Sequence, residues 1–259
     1  MTQRELLPDD RAALCAPLSR PMAEAWQDLP AAWRALCTGL DAHAQRVIDA
    51  VDADAREHAV VPARPFRAFE LVAPGQVRLV LIGQDPYPLP GDATGLAFMS
   101  MRGIPASMRN VYAAIEQAYP GFQRPRTADL EHWAAQGVLL LNAALTVRMG
   151  SGRAGTHLRM GWQEWTAGVL RALYSQRLQD GVEVPVAWLW GKPARAFFET
   201  ATAGLPISPE RVLVARHPSQ DFRKEFVGQA RVHRSNFRGC SSHRFVGRRL
   251  PTPPNGAIV

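Results

Sequence analysis

The sequence predicts an α/β fold, a single domain with a central four-stranded parallel twisted sheet flanked by helices. Three observations predict it. Four short apolar runs, at residues 77–82, 138–141, 184–190 and 212–215, are each too short for a helix and read as buried strands. Helical patterns lie between them, so successive strands need crossovers and run parallel. The chain has 259 residues with 47% apolar composition, enough for one domain with a sizeable core.

Taken in order, the first strand runs into a tight loop, Gly83-Gln84-Asp85-Pro86-Tyr87. A helix is expected over 107–119. Another is expected over 128–136, capped by Thr127 and stopped by Gly137. The second strand follows at once and runs into Asn142-Ala143-Ala144-Leu145-Thr146. From Trp162 a longer pattern places Trp165, Val169 and Leu173 on one helical face. The third strand ends at Trp190-Gly191-Lys192, and Pro193 suits the first turn of a helix over 193–201. The fourth strand ends at Arg216-His217-Pro218-Ser219.

In an open parallel sheet the carboxyl ends of the strands share one edge, where ligands bind. Asp85, Asn142 and His217 are therefore expected to meet at one cleft. Asp85 could orient a water or stabilise positive charge; an Asp-Pro taken alone is more commonly a turn that bonds its own backbone. Asn142 carries an adjacent donor and acceptor, suited to a base edge, or it caps a loop. His217 can donate to a developing anion, or it is a packed histidine.

The 30 basic residues outnumber the 23 acidic ones, for a net charge of +7. That balance favours a polyanionic partner such as nucleic acid, although a plain solvated basic surface explains it as well. The three cysteines, Cys15, Cys37 and Cys240, have neither metal-ligand spacing nor a disulfide framework, so a reducing cytoplasm is expected. No targeting segment, membrane span or internal repeat is visible.

The chain resembles the family of uracil-DNA glycosylases typified by the common bacterial and nuclear/mitochondrial repair enzyme. The resemblance rests on Gly83-Gln84-Asp85-Pro86-Tyr87, Gly95-Leu96-Ala97-Phe98 and Ser107-Met108-Arg109-Asn110-Val111-Tyr112. It continues through Gly137 to Arg148, Gly161-Trp162, Leu189-Trp190-Gly191 and His217-Pro218-Ser219, in the family's order. It spans about 26–236, which leaves 1–25 as an N-terminal extension and 237–259 as a partly disordered C-terminal one. It implies hydrolysis of the bond between uracil and deoxyribose in DNA, with the base flipped into a pocket and an abasic site left behind.

The same resemblance implies a role for each matching residue. Asp85 would orient the attacking water and stabilise the sugar cation, and His217 would stabilise the leaving uracil anion. Gln84, Tyr87, Phe98 and Asn142 would bind uracil. Tyr87 excludes the thymine methyl, Phe98 stacks on the base and Asn142 rejects cytosine. Ser107 and Ser219 would contact phosphates. No metal or other cofactor is implied. The implied partners are uracil-containing DNA, single- or double-stranded, and a small acidic DNA-mimicking inhibitor protein of phage origin. A monomer without membrane association is expected.

Several positions depart from the family pattern. Pro88 stands where most members carry His. Lys192 replaces a Ser and could reach a phosphate as a point charge. After Ser219 the usual Pro-Leu-Ser is replaced by Gln220-Asp221-Phe222-Arg223-Lys224-Glu225. By position Asp221 replaces the leucine wedge. Phe222 is the better physical candidate, since apolar side chains hold unstacked DNA open; the alternative is a loop Phe folded onto the body. Arg223 and Lys224 could attract phosphates. His157 is expected near the DNA backbone. Two other readings stay open: a glycosylase for another modified pyrimidine, and a non-catalytic DNA-binding protein on an inherited fold.

Overall fold

The four apolar runs form one sheet, and β2 and β3 are covered on both faces. The computed structural model describes residues 12–119, 121–150 and 152–220. Its strands are β1 (Val60–Val61), β2 (Leu79–Gly83), β3 (Val138–Asn142), β4 (Val147–Arg148), β5 (Val186–Trp190) and β6 (Val212–Ala215). β3, β2, β5 and β6 lie side by side in that order, and every pairing is parallel. Leu79, Val80, Leu81 and Ile82 are all buried, which is why the run lacks a polar–apolar alternation. β6 is an edge strand, and Val214 on it is 44% exposed. The expected α/β architecture is the observed one.

The helices are α1 (Met22–Ala25), α2 (Ala31–Leu36), α3 (Asp41–Asp54), α4 (Arg67–Leu71), α5 (Ala106–Ala118), α6 (Glu131–Ala134), α7 (Gln163–Gln179) and α8 (Lys192–Ala201). On α7, Trp165, Val169 and Leu173 are buried as their spacing predicts. Pro193 sits in the first turn of α8.

The helix expected over 128–136 is only the single turn of α6. Ala128 is instead drawn into an isolated antiparallel bridge with Ser100. Asp129 Oδ1, rather than Thr127, accepts a helix-start N–H, that of Glu131, at 3.0 Å. A tertiary strand contact has displaced the local cap.

Two features were not foreseen. β1 and β4 form a small antiparallel ribbon, with Val60 opposite Arg148 and Val61 opposite Val147. An aromatic cluster joins Trp26, Phe66, Phe69, Trp162 and Trp165, with Trp26 stacked on Trp162 at 5.7 Å. Met22 and Ala25 are fully buried in the same core, so the packed body begins before residue 26. Among the described residues no helix is long and apolar enough to cross a membrane.

Candidate active site

The register of β2 and β3 brings the first two functional groups together. Gly83 is paired with Asn142 at the carboxyl ends of the two strands. The pairing continues into the loops, where Ala143 N–H donates to Gly83 O and Ala144 N–H to Gln84 O, each at 2.9 Å. Asn142 is buried, with 4% exposure. A Cβ on Gly83 would overlap the Asn142 side-chain oxygen and meet Ala97 Cβ at 3.0 Å. Only glycine lets the amide lie across the strand end.

Asp85 follows one residue beyond Gln84 and is half-buried. Its Oδ2 accepts a hydrogen bond from the Gly155 N–H, and the Gln84 side-chain amide donates to the same carboxylate. Burial pushes the Asp85 carboxyl above the usual carboxylate range, and these two donors offset only part of that rise. The carboxylate is thus partly dehydrated but held in its charged form by dipoles, an arrangement suited to facing a positive charge.

Phe98 forms one wall. Its φ of +65° is left-handed backbone in a non-glycine residue, a conformation that costs about 1–3 kcal/mol and is found where function fixes a side chain. Its ring lies 4.7 Å from that of Trp190 and 6.2 Å from the imidazole of His217. Tyr87 is half-buried, and its phenol oxygen is hydrogen-bonded to the Ser107 side chain. Burial pushes the phenol pKa up, so the ring presents a neutral, bulky edge.

His217 arrives from the edge strand. Gly191, at φ +90°, leaves room for it; a Cβ there would come to 3.1 Å from His217 Cβ. Ser219 N–H donates to His217 Nδ1 at 3.2 Å, and Ser219 Oγ lies 2.7 Å from the same nitrogen. A backbone N–H can only donate, so Nδ1 is an acceptor. The hydrogen-bond network therefore assigns the ring proton to Nε2 and makes the imidazole neutral. Burial acts the same way and lowers the pKa of His217. The residue is a neutral Nε2–H donor. Asn110 on α5 donates from Nδ2 to Pro218 O at 2.7 Å and ties the turn to the body.

A cavity of about 100 Å³ opens beside these groups, lined by Gln84, Leu158, Gln163, Trp190, Phe197 and His217 among others. It lies on the α7–α8 side of the strand ends, and Tyr87, Phe98 and Asn142 do not line it. Among the described residues no cluster of three or more His, Cys, Asp or Glu is placed to hold a metal ion.

A family model described as the uracil DNA glycosylase superfamily matches residues 69–235. The chain belongs to the uracil DNA glycosylase superfamily. That family is one of glycosylase hydrolases, and the fold agrees with it. A uracil-DNA glycosylase of Dichelobacter nodosus is 40% identical over 173 residues, covering 66% of this chain and 71% of that protein. One of Salmonella agona is 44% identical over 158 residues, covering 60% of this chain and 63% of its own length. Among solved structures, the mimivirus uracil-DNA glycosylase matches with a TM-score of 0.58 at 19% identity, over 81% of each chain. The UNG of Nitratifractor salsuginis matches with 0.56 at 24% identity, over 82% of this chain and 96% of that one. A mimivirus UNG variant solved in complex with UGI matches with 0.64 at 20% identity, over 81% of this chain and 82% of that one. Family and fold are consistent with uracil excision in base-excision repair.

The structure gathers the residues named from the sequence along one edge of the sheet, with Asn142 at the end of β3, Gln84 and Asp85 after β2 and His217 after β6, Phe98 beside His217 and Tyr87 against Ser107. Ser107, expected on a phosphate, is buried with 5% exposure and bonded to Tyr87. Ser219 is exposed, with its hydroxyl on His217. Lys192 is exposed at the start of α8. His157, expected near the DNA backbone, is wholly buried and bonded to Asp54; its carboxylate partner holds it inside. Phe222, Asp221, Arg223 and Lys224 lie outside the described residues. The Gly155 amide and Asn110 escaped notice. Gly155 acts through a backbone group that no residue type announces, and Asn110 stood inside a matched motif with no partner to suggest a role.

Proposed function

We propose that this chain hydrolyses the N-glycosidic bond of deoxyuridine in DNA. The observation that carries the reading is a pair of groups at one edge of the sheet: a half-buried carboxylate at Asp85 bonded by Gly155 and Gln84, and a neutral Nε2–H donor at His217. A base inside a duplex is out of reach, so uracil is extruded into the pocket at a cost of about a few kcal/mol. Asn142 reads its edge, Phe98 stacks on it, and the Tyr87 ring fills the space a thymine methyl needs. Gln84 contacts it through its backbone, because its side chain is committed to Asp85.

The bond between the sugar C1′ and the base N1 breaks, and its electron pair leaves with uracil. The resulting anion takes a hydrogen bond from His217 Nε2, and the cationic sugar faces Asp85. Water adds to C1′ and gives up a proton, so the products are free uracil and an abasic sugar. Both charges are stabilised by groups already in place.

In this reading DNA runs along a rim that includes the exposed Lys192 and Ser219, and Phe222 and Arg223 are assigned to DNA contact from the sequence. Phe222 is assigned the wedge. Ser107 serves the pocket wall through Tyr87. The chain acts as a monomer on single- and double-stranded DNA. The buried, free thiols of Cys15 and Cys37 suit a reducing cytoplasm. An acidic inhibitor protein of the UGI type would compete for the same rim.

The test is release of free base from oligonucleotides carrying uracil, thymine or modified cytosines. Uracil release alone is expected. Release of a modified cytosine in preference to uracil would overturn the substrate, and tight salt-sensitive DNA binding without abasic product would overturn the enzyme.

A further inference from the structure

A buried polar network lies behind Asp85, outside the groups that would touch DNA. His157 is wholly buried, and both ring nitrogens are engaged. Its Nε2 is 3.0 Å from Asp54 Oδ2, and its Nδ1 is 2.8 Å from Thr146 Oγ1. Trp162 Nε1–H donates to that same Thr146 oxygen at 2.7 Å. One neutral pattern satisfies the whole chain: Trp162 donates to Thr146, Thr146 donates to His157 Nδ1, and His157 Nε2–H donates to Asp54. Asp54 also accepts from Arg148 Nε at 2.8 Å, and His58 Nδ1 lies 3.3 Å from it.

The network grips the segment that touches Asp85. Gly155, Thr156 and His157 are consecutive. The Gly155 N–H donates to Asp85, Thr156 Oγ1 accepts from the Arg148 N–H at 3.1 Å, and the His157 ring is locked to Asp54. The other end of the same strap donates from Gly150 N–H to Pro88 O at 2.7 Å. Gly155 sits at φ +77°, in the left-handed region that favours glycine, so this residue type suits the turn that presents its N–H to Asp85.

Resting on the proposed function, we infer that Asp54 and His157 are positioning residues for Asp85, acting through the Gly155 amide. A carboxylate with one oxygen fixed by an N–H has its plane set and its charged form favoured. When the lock fails, residues 155–157 are released. Asp85 then loses a donor, rotates more freely and titrates higher.

The test compares His157→Ala, His157→Gln and Asp54→Asn with the parent. His157→Gln keeps an amide donor for Asp54. Asp54→Asn keeps shape but removes the charge that His157 and Arg148 bind, so a poorly folded alanine variant does not decide the matter. The Asp85 carboxyl titration, followed by carbon-13 NMR, is expected to move to higher pH in His157→Ala and Asp54→Asn and to return toward the parent in His157→Gln. Excision should lose about 10–100-fold in kcat, with KM for uracil-containing DNA held and the acid limb of the rate profile moved up. A merely structural network would lower Tm and the active fraction while leaving that titration and limb in place; that result in folded Asp54→Asn or folded His157→Ala overturns the inference. If the parent releases no uracil, the excision reading falls, and the Asp85 titration alone still decides this one.

Discussion

The two flanks of the cleft are built differently. Asp85 follows the inner strand β2, and the segment bonded to it is held by a buried network from Asp54 to Trp162. The His217 flank hangs from the edge strand β6 and is held by hydrogen bonds at an exposed turn, with one tie from Asn110 to the body. In the proposed reaction Asp85 faces the sugar cation, and the strap bonded to it is anchored by buried, overlapping contacts. His217, proposed to reach the departing base, is held by a short turn. On that reading one side of the site is firm and the other adjustable.

Substitutions on each flank can break this contrast. Asp85→Asn removes the charge on the firm side, and uracil release is expected to fall by about 10²–10³-fold or more, with DNA affinity kept in a gel-shift or anisotropy measurement. Parent-like turnover would show that the firm flank is scaffold only. His217→Ala removes one donor on the other side, with an expected loss in kcat of about 10²-fold in the same assay. Gly83→Ala forces a methyl onto the Asn142 amide, so uracil recognition should weaken by about 10–100-fold in kcat/KM. A folded variant with unchanged kcat/KM would mean Asn142 does not read the base. Asn110→Ala cuts the hydrogen bond from α5 to the His217 turn. The loss of about 1 kcal/mol corresponds to a several-fold drop in excision rate with little change in Tm.

The smallest effect is on stability against pH, and it tests the firm side alone. Burial by itself would raise the Asp54 pKa, but hydrogen bonds from Arg148 and His157 bring it below the ordinary value. A depressed carboxylate adds stability above its unfolded pKa and loses it as pH falls through the folded one. Burial also lowers the pKa of His157, so protons favour the unfolded chain below the ordinary histidine value of about 6.5. Both terms have the same sign. Denaturant midpoints should therefore fall in two stages on acidification, first below about pH 6.5 and then below about pH 4. His157→Gln should shrink the first stage, the remainder belonging to His132 and His217, whose pKa values burial also lowers; an unchanged first stage would place that titration elsewhere.

Much of this was legible in the chain. The four-strand sheet followed from runs such as 77–82, because a strand buried on both faces must be apolar throughout. The meeting of Asp85, Asn142 and His217 followed from parallel topology, since all carboxyl ends share an edge. Thr127 misled because a cap is a local preference, and the Ser100–Ala128 bridge is a tertiary fact that overrides it. His157 misled because its neighbours in sequence say nothing of Asp54, a hundred residues away on α3.

Sequence by itself therefore determined which residue types stand at the strand ends, and with them the family and the chemistry available. Tertiary structure alone decided the tautomer of His157, set by Thr146 and Asp54, the route of the Ser107 hydroxyl to Tyr87, and the backbone amide on Asp85. The physical reason is range. Periodicity and motif report what a segment needs buried or bent, whereas protonation, tautomer and carboxylate orientation depend on donors that arrive from elsewhere in the chain.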